Sequence, residues 1–182
     1  MLGSINYKNI VAAQRLEALE MLKSLILEFK PEILIEIGTL QGGLSLFLSE
    51  LNLCDIHTFD IVNHNPNLPK NDRLFRNFMD AFSNECKDHI KNLTSNKKTM
   101  WLFDGGNKKR EVLFYKDICK PGEIVMSHDF APDRNSFNYL KENNIWLWWE
   151  SDATCFPAHE FKQHNNFEEI WKTCVWGTYI KI

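Results

Sequence analysis

The chain has 182 residues, 44% of them hydrophobic and 25% charged, with a formal net charge of -3 and a pI near 6.1. That length suits a single domain, 1–182, able to bury about 70% of its unfolded surface around one core without disulfide or metal staples. The mildly acidic balance leaves no electrostatic footprint for nucleic acid or acidic membranes, and the apolar runs fall far short of the ~20 residues of a membrane span, so the expected partner is a small molecule.

From Asn9 to Lys30, apolar residues recur at Ala18, Leu22, Leu25 and Phe29, which predicts an amphipathic helix packed on a sheet and stopped by Pro31. Ile33 to Ile37 lacks polar alternation, as a parallel strand covered on both faces does. A glycine turn and a helix to about Leu51 follow, then a strand from Asp55 to Phe59 ending at Asp60, and the loop IVNHNPNLPKND. Phe75 to Met79 reads as a short strand ending at Asp80, with a helix through Arg76 as its rival. Asn84 to Leu93 is predicted helical, Lys98 to Phe103 strand, Lys109 to Cys119 helical and Glu123 to Ser127 strand. Beyond these, Arg134 to Asn143 is expected helical, Ile145 to Trp149 strand, Ala158 to Trp171 helical in its second half, and Thr173 to Ile182 strand. Strands alternating with helices imply βαβ units and a right-handed parallel sheet. Ligands of such sheets bind outside the carboxyl ends of the strands. Here those ends carry Gly38, Asp60, Asp80, Asp104, His128 and Asp129.

The five cysteines, Cys54, Cys86, Cys119, Cys155 and Cys174, form no C-x-x-C pair, which suggests reduced thiols in a cytoplasmic protein. The N-terminus shows no basic region leading into an apolar core, so a soluble, unprocessed chain is expected, and a homo-oligomer stays open.

The turn after the first parallel strand puts three residues between Gly38 and Gly42-Gly43, which does not fit the G-x-G-x-x-G dinucleotide fingerprint. A strand ending in Glu36-x-Gly38 with a later double glycine instead resembles the first motif of class I S-adenosylmethionine-dependent methyltransferases. The resemblance implies a single-domain, Rossmann-like α/β fold with a mostly parallel seven-stranded sheet and helices on both faces. It also implies a turn of Glu36, Gly38, Thr39, Gly42 and Gly43 near the methionine end of the cofactor. Asp60 lies 60 − 38 = 22 residues past the first glycine, where an acidic side chain can accept from ribose hydroxyls, a feature shared with nicotinamide enzymes and equally open to a loop aspartate. By the same resemblance Asp80 and Ala81 fall at the adenine.

The segment from Met100 to Phe130 resembles the strand, D-G-x-H, helix, K-P-G-G, strand and acidic pair of metal-dependent O-methyltransferases, of the catechol type and of the macrocin-type and cephalosporin hydroxylase-like branches. That implies a divalent cation, Mg or Mn, held by Asp104, Asp129 and His128, with Asp104 also beside the cofactor. The chain departs from the pattern at several points. Asn107 stands where the family has its His or Lys base, and an amide takes no proton at neutral pH; the resemblance then leaves His128 or Lys108 as the expected replacement base, with Asp129 counted among the catalytic residues. His128 stands for an acidic residue, Ser45 comes one place late, and Lys120-Pro121-Gly122-Glu123 lacks the second glycine. Asp104 could equally open a turn, and His128 could be a core histidine. Trp146, Trp148 and Trp149 are expected to pack on the sheet rather than to cage a substrate. The sequence thus points to metal-assisted O-methylation of a small hydroxylated molecule, a sugar or secondary metabolite. A cofactor-binding protein without catalysis and a nicotinamide-dependent oxidoreductase are the alternatives.

Overall fold

The computed structural model describes residues 3–182. Two short strands, β1 (Ile5–Tyr7) and β2 (Ile10–Ala12), pair antiparallel across a Lys8–Asn9 turn in which both residues have positive φ, 50° and 68°. Such turns match the twist of a two-residue hairpin. The N-terminal helix therefore starts later than the periodicity predicts: α1 is Leu16–Phe29, closed by Lys30 in the left-handed conformation ahead of Pro31. Ile10 and Val11 are β-branched and lose rotamer freedom in a helix, whereas the hairpin lays them against the next helix, α2 (Gly43–Glu50).

The central sheet is built from β3 (Ile33–Ile37), β4 (Asp55–Asp60), β5 (Leu74–Phe78), β6 (Thr99–Phe103), β7 (Ile124–Ser127), β8 (Phe161–Gln163) and β9 (Gly177–Lys181). Its order is β5-β4-β3-β6-β7-β9-β8, parallel throughout except that β9 runs antiparallel to both its neighbours. The remaining helices are α3 (Asn84–Thr94), α4 (Lys108–Tyr115), α5 (Arg134–Glu142) and α6 (Phe167–Cys174). Alternate strand residues feed two cores. Ile33, Ile35, Ile37, Trp101, Phe103 and Val125 face one, with Val112 and Tyr115 of α4; Leu34, Met100, Leu102, Ile124 and Met126 face the other, with Leu22 and Ile26 of α1. Two covered faces are the reason the strands lack polar alternation.

The strand reading of Phe75–Met79 holds over its rival, since β5 pairs in parallel with β4. The expected strand at Ile145–Trp149 does not form. Its residues join no strand, with Trp146 buried and Leu147 and Trp148 exposed, and the chain meets the end of β7 at Ser151, where the Glu150 and Ser151 N–H groups donate to the Asp129 carbonyl and Ala131 N–H donates to Ser151 O. The seventh strand is β8 instead, three residues long within a stretch read as the approach to a helix. The Asn- and Pro-rich loop carries no helix or strand between Ile61 and Arg73, yet one apolar residue, Leu68, is buried against Gly42 and seats it.

Candidate functional site

The register of the central strands sets the site. Ile37 pairs with Phe59 on one side and Phe103 on the other, and Phe103 pairs with Ser127. The next residues, Gly38, Asp60, Asp104 and His128, therefore emerge side by side across four neighbouring strands spaced ~4.8 Å apart. The ladder continues through them, with Gly38 N–H donating to Phe59 O at 2.8 Å, Asp104 N–H to Ile37 O at 2.8 Å and His128 N–H to Phe103 O at 3.0 Å.

Two hollows open along this row. One, of about 180 Å³, is walled by Gly38, Asp60, Asp80, Ala81, Gly105 and Glu111 among others. The other, of about 320 Å³, lies on the β7 side and is walled by Leu40, Asp104, Lys108, Asp129, Trp148 and Glu150 among others. They flank one wall, where a Cβ on Gly38 (φ 97°) would come within 2.5 Å of the Asp104 carbonyl oxygen. A third hollow of about 270 Å³ between α1 and α6 is rimmed by Glu17, Glu28 and Glu169 and touches no strand end of the row.

Of the residues the sequence placed at a cofactor, Gly38, Asp60, Asp80 and Ala81 line the first hollow, while Asp104 lines the second. Glu36, Thr39, Gly42 and Gly43 stand behind these surfaces. Glu36 is buried, accepts the Ser45 hydroxyl, and is pushed by burial up to about 8, against the opposing bonds from Ser45 and Thr58. Thr39 shares a hydroxyl contact of 2.6 Å with Thr58. A Cβ on Gly43 would come within 2.6 Å of the Val11 backbone, so this glycine admits the N-terminal hairpin, and Gly42 admits Leu68. Asp60 Oδ2 accepts from the Thr39 and Leu40 N–H groups at 3.1 and 3.0 Å, and Oδ1 from Val62 N–H at 3.1 Å. A carboxylate offers about four acceptor positions, so it holds the glycine turn and still faces the hollow.

On the other side, a charged cluster closes the second hollow. Asp104 Oδ1 accepts from His128 Nδ1 at 2.9 Å and Oδ2 from Gln14 Nε2 at 2.7 Å; Asp129 Oδ1 accepts from Trp146 Nε1 at 2.6 Å. Gln14 is held in turn by Trp176 Nε1 at 2.9 Å. Lys108 Nζ lies 2.9 Å from Asp129 Oδ2, 2.7 Å from Glu150 Oε2, 2.9 Å from Gly105 O and 3.8 Å from Asp104 Oδ1. Burial works against its charge, but Asp104, Asp129 and Glu150 outweigh it and hold the lysine above its ordinary value. The same contest ends the same way for His128, where burial opposes the charge and the Asp104 carboxylate with its hydrogen bond prevails. Asp129 is lowered, burial being overcome by His128, by Lys108 and by the Lys108 and Trp146 bonds.

These contacts assign the proton-handling groups differently from the sequence reading. The carboxylates around Lys108 favour its ammonium form, which works against a role as base. His128 is buried between Trp146 and Trp176, at ring distances of 5.2 and 4.8 Å, with Nδ1 committed to Asp104 and Nε2 covered. Asn107 is the N-cap of α4, accepting from Arg110 N–H at 3.1 Å, and Glu111, raised by burial to about 7, accepts the Gly105 and Asn107 N–H groups. The departure at Glu123 also has a structural cause: its buried carboxylate accepts from the Trp101 indole at 2.8 Å and the Thr99 N–H at 3.1 Å. Gln14 and Glu150 join the site without a sequence signal that set them apart; Trp146 packs in the core as expected and also lines the hollow, together with the exposed Trp148.

One ligand atom each from Asp104, His128 and Asp129 lies within 4.8 Å of the others, a spacing that a divalent ion with bonds of ~2.0–2.6 Å spans. The same space holds the Lys108 ammonium, and the imidazole nitrogen facing Asp104 is already hydrogen-bonded to it. As arranged, these residues do not fit a divalent ion together with the lysine.

No family model and no curated protein matches the sequence. Solved structures do match the fold. An apo structure of CmcI superposes with a TM-score of 0.68 at 10% identity, covering 98% of this chain and 76% of that one. A CmcI structure with Mg and SAM gives 0.69 at 10% identity, with the same coverage. A Staphylococcus aureus protein assigned provisionally as a caffeoyl-CoA O-methyltransferase gives 0.61 at 15% identity, over 96% of this chain and 87% of that one. At such identities the likeness establishes the fold, which is the Rossmann-like fold of class I methyltransferases.

Proposed function

We propose that the protein is an S-adenosylmethionine-dependent methyltransferase that modifies an oxygen of a small molecule. The observation that carries this reading is the pair of hollows sharing the Gly38–Asp104 wall, one lined by glycines and by the acidic strand ends Asp60 and Asp80, the other aromatic and charged. The SAM named with CmcI and the O-methyltransferase assignment of the Staphylococcus aureus protein support it. Asp60 would accept the ribose hydroxyls, Asp80, Ala81 and Phe82 would border the adenine, and the glycine backbones of Gly38 and Gly105 leave room for the amino-acid end. When bound, the cofactor supplies an electrophilic methyl group.

In the second hollow Trp146, Trp148 and Leu40 would clasp a flat or apolar acceptor, which suits a sugar or secondary metabolite, and exclude water around it. Holding the acceptor oxygen against the shared wall supplies proximity. Glu150 is the carboxylate of the cluster most open to solvent, with 44% of its side chain exposed against 12% for Asp129 and 15% for Asp104. On this reading it would be the group that takes the acceptor's proton. Glu150→Gln should lower turnover by about 10²-fold or more while leaving cofactor affinity unchanged. An unaltered rate would remove Glu150 from the proton path.

Calorimetry with S-adenosylhomocysteine tests the reading itself. We expect binding to the wild type and a loss of ~1–3 kcal/mol in Asp60→Ala, because ribose hydroxyls and the Thr39 and Leu40 N–H groups lose their acceptor together. Binding of NAD without any S-adenosylhomocysteine signal would refute it.

A further inference from the structure

We propose that the ammonium of Lys108 is the resident cation of this site, standing between Asp104 and Asp129 where the spacing of Asp104, His128 and Asp129 alone would suit a divalent ion, so that the site works without metal. The claim of metal-free turnover rests on the methyltransferase reading above; the claim about occupancy does not.

Four observations carry it. Lys108 is the first residue of α4, set there by the Asn107 cap, and its side chain is 5% exposed. Its ammonium donates to Gly105 O at 2.9 Å and Glu150 Oε2 at 2.7 Å and forms an ion pair with Asp129 Oδ2 at 2.9 Å. The other oxygens of the two aspartates are engaged as well: Asp104 takes His128 and Gln14, and Asp129 takes the Trp146 indole. A divalent ion bonded to both aspartates would need the volume of the ammonium and would add two positive charges beside it, a repulsion that low-dielectric surroundings magnify. A buried carboxylate pair needs some cation, because like charges this close disfavour joint ionisation. The lysine supplies one that cannot dissociate.

The occupancy can be read directly by titrating Mn into the wild type and following free Mn by electron paramagnetic resonance, with melting temperatures recorded alongside. The wild type should leave Mn free and melt at the same temperature with Mn, Mg or EDTA. Lys108→Gln and Lys108→Met vacate the space while Asp104, His128 and Asp129 stay. Either folded variant should bind one Mn at least about tenfold tighter than the wild type and gain melting temperature with it. Adding Asp104→Asn should abolish that gain. One Mn bound by the wild type and lost in Asp104→Asn would overturn the proposal, as would a folded Lys108 variant that gains no Mn. If neither variant folds, the wild-type titration decides alone. S-adenosylhomocysteine binding in the same wild-type preparations reports on the methyltransferase reading separately, since that ligand occupies the other hollow.

Discussion

Gly38→Ala is expected to destabilise the protein by about 3 kcal/mol or more and to abolish S-adenosylhomocysteine binding. Two costs add. At φ 97° an L side chain is strained, at roughly 1–3 kcal/mol. The new Cβ would also lie 2.5 Å from Asp104 O and 2.6 Å from Gly105 N, backbone atoms that cannot rotate away. Relief requires β3 and β6 to part at their ends, which displaces the wall shared by both hollows. Gly106→Ala is the control: nothing lies within 4 Å of its Cβ position, so a change within about 0.5 kcal/mol is expected. Urea midpoints and calorimetry on the two variants measure both effects, and equal behaviour of the pair would remove the close approach as the reason for Gly38.

Glu36→Gln should flatten the dependence of stability on pH. Burial holds the Glu36 carboxyl at about 8 in the folded chain, against a carboxyl value near 4.5 when unfolded. A raised pKa means that the native state keeps a proton the unfolded state releases. The stabilisation is therefore complete below about 4.5 and is lost as pH rises toward 8. Glutamine has the shape of the protonated acid and never ionises. The variant should gain on the wild type by about 3–5 kcal/mol between pH 5 and pH 9, an order-of-magnitude figure from 1.36 kcal/mol per pKa unit. Glu111, raised to about 7, adds a smaller slope of the same sign to both proteins and cancels in the difference. Parallel unfolding curves across that range would show Glu36 to be ionised in the native state.

Much of this was legible in the residues themselves. The uninterrupted apolar strands, Pro31, the glycine turn and the aspartates closing strand after strand define a parallel sheet and the edge where its ligands bind, because strand period, turn chemistry and helix stops act over a few neighbouring positions. Those features also placed Gly38, Asp60, Asp104 and His128 on one row, with Asp80 two residues past the end of β5 beside it. The Ile145–Trp149 segment shows where this reading fails. An alternating aromatic run satisfies strand propensity, yet β9 takes the place beside β7, and the indoles of the run take up Asp129 and the second hollow instead.

The partners of the charged cluster were decided only by the tertiary structure. Gln14 reaches Asp104 across 90 positions and Trp176 reaches Gln14 across 162, while Lys108 meets Glu150 across 42. No local pattern encodes such meetings, since they depend on how α4, the hairpin and β9 pack against the same strand ends. The sequence alone determined the row of acids and the fold that presents it. Which cation lies among them followed from packing, because the direction in which Lys108 leaves the first turn of α4 is fixed by the Asn107 cap and by the carboxylates that close around it.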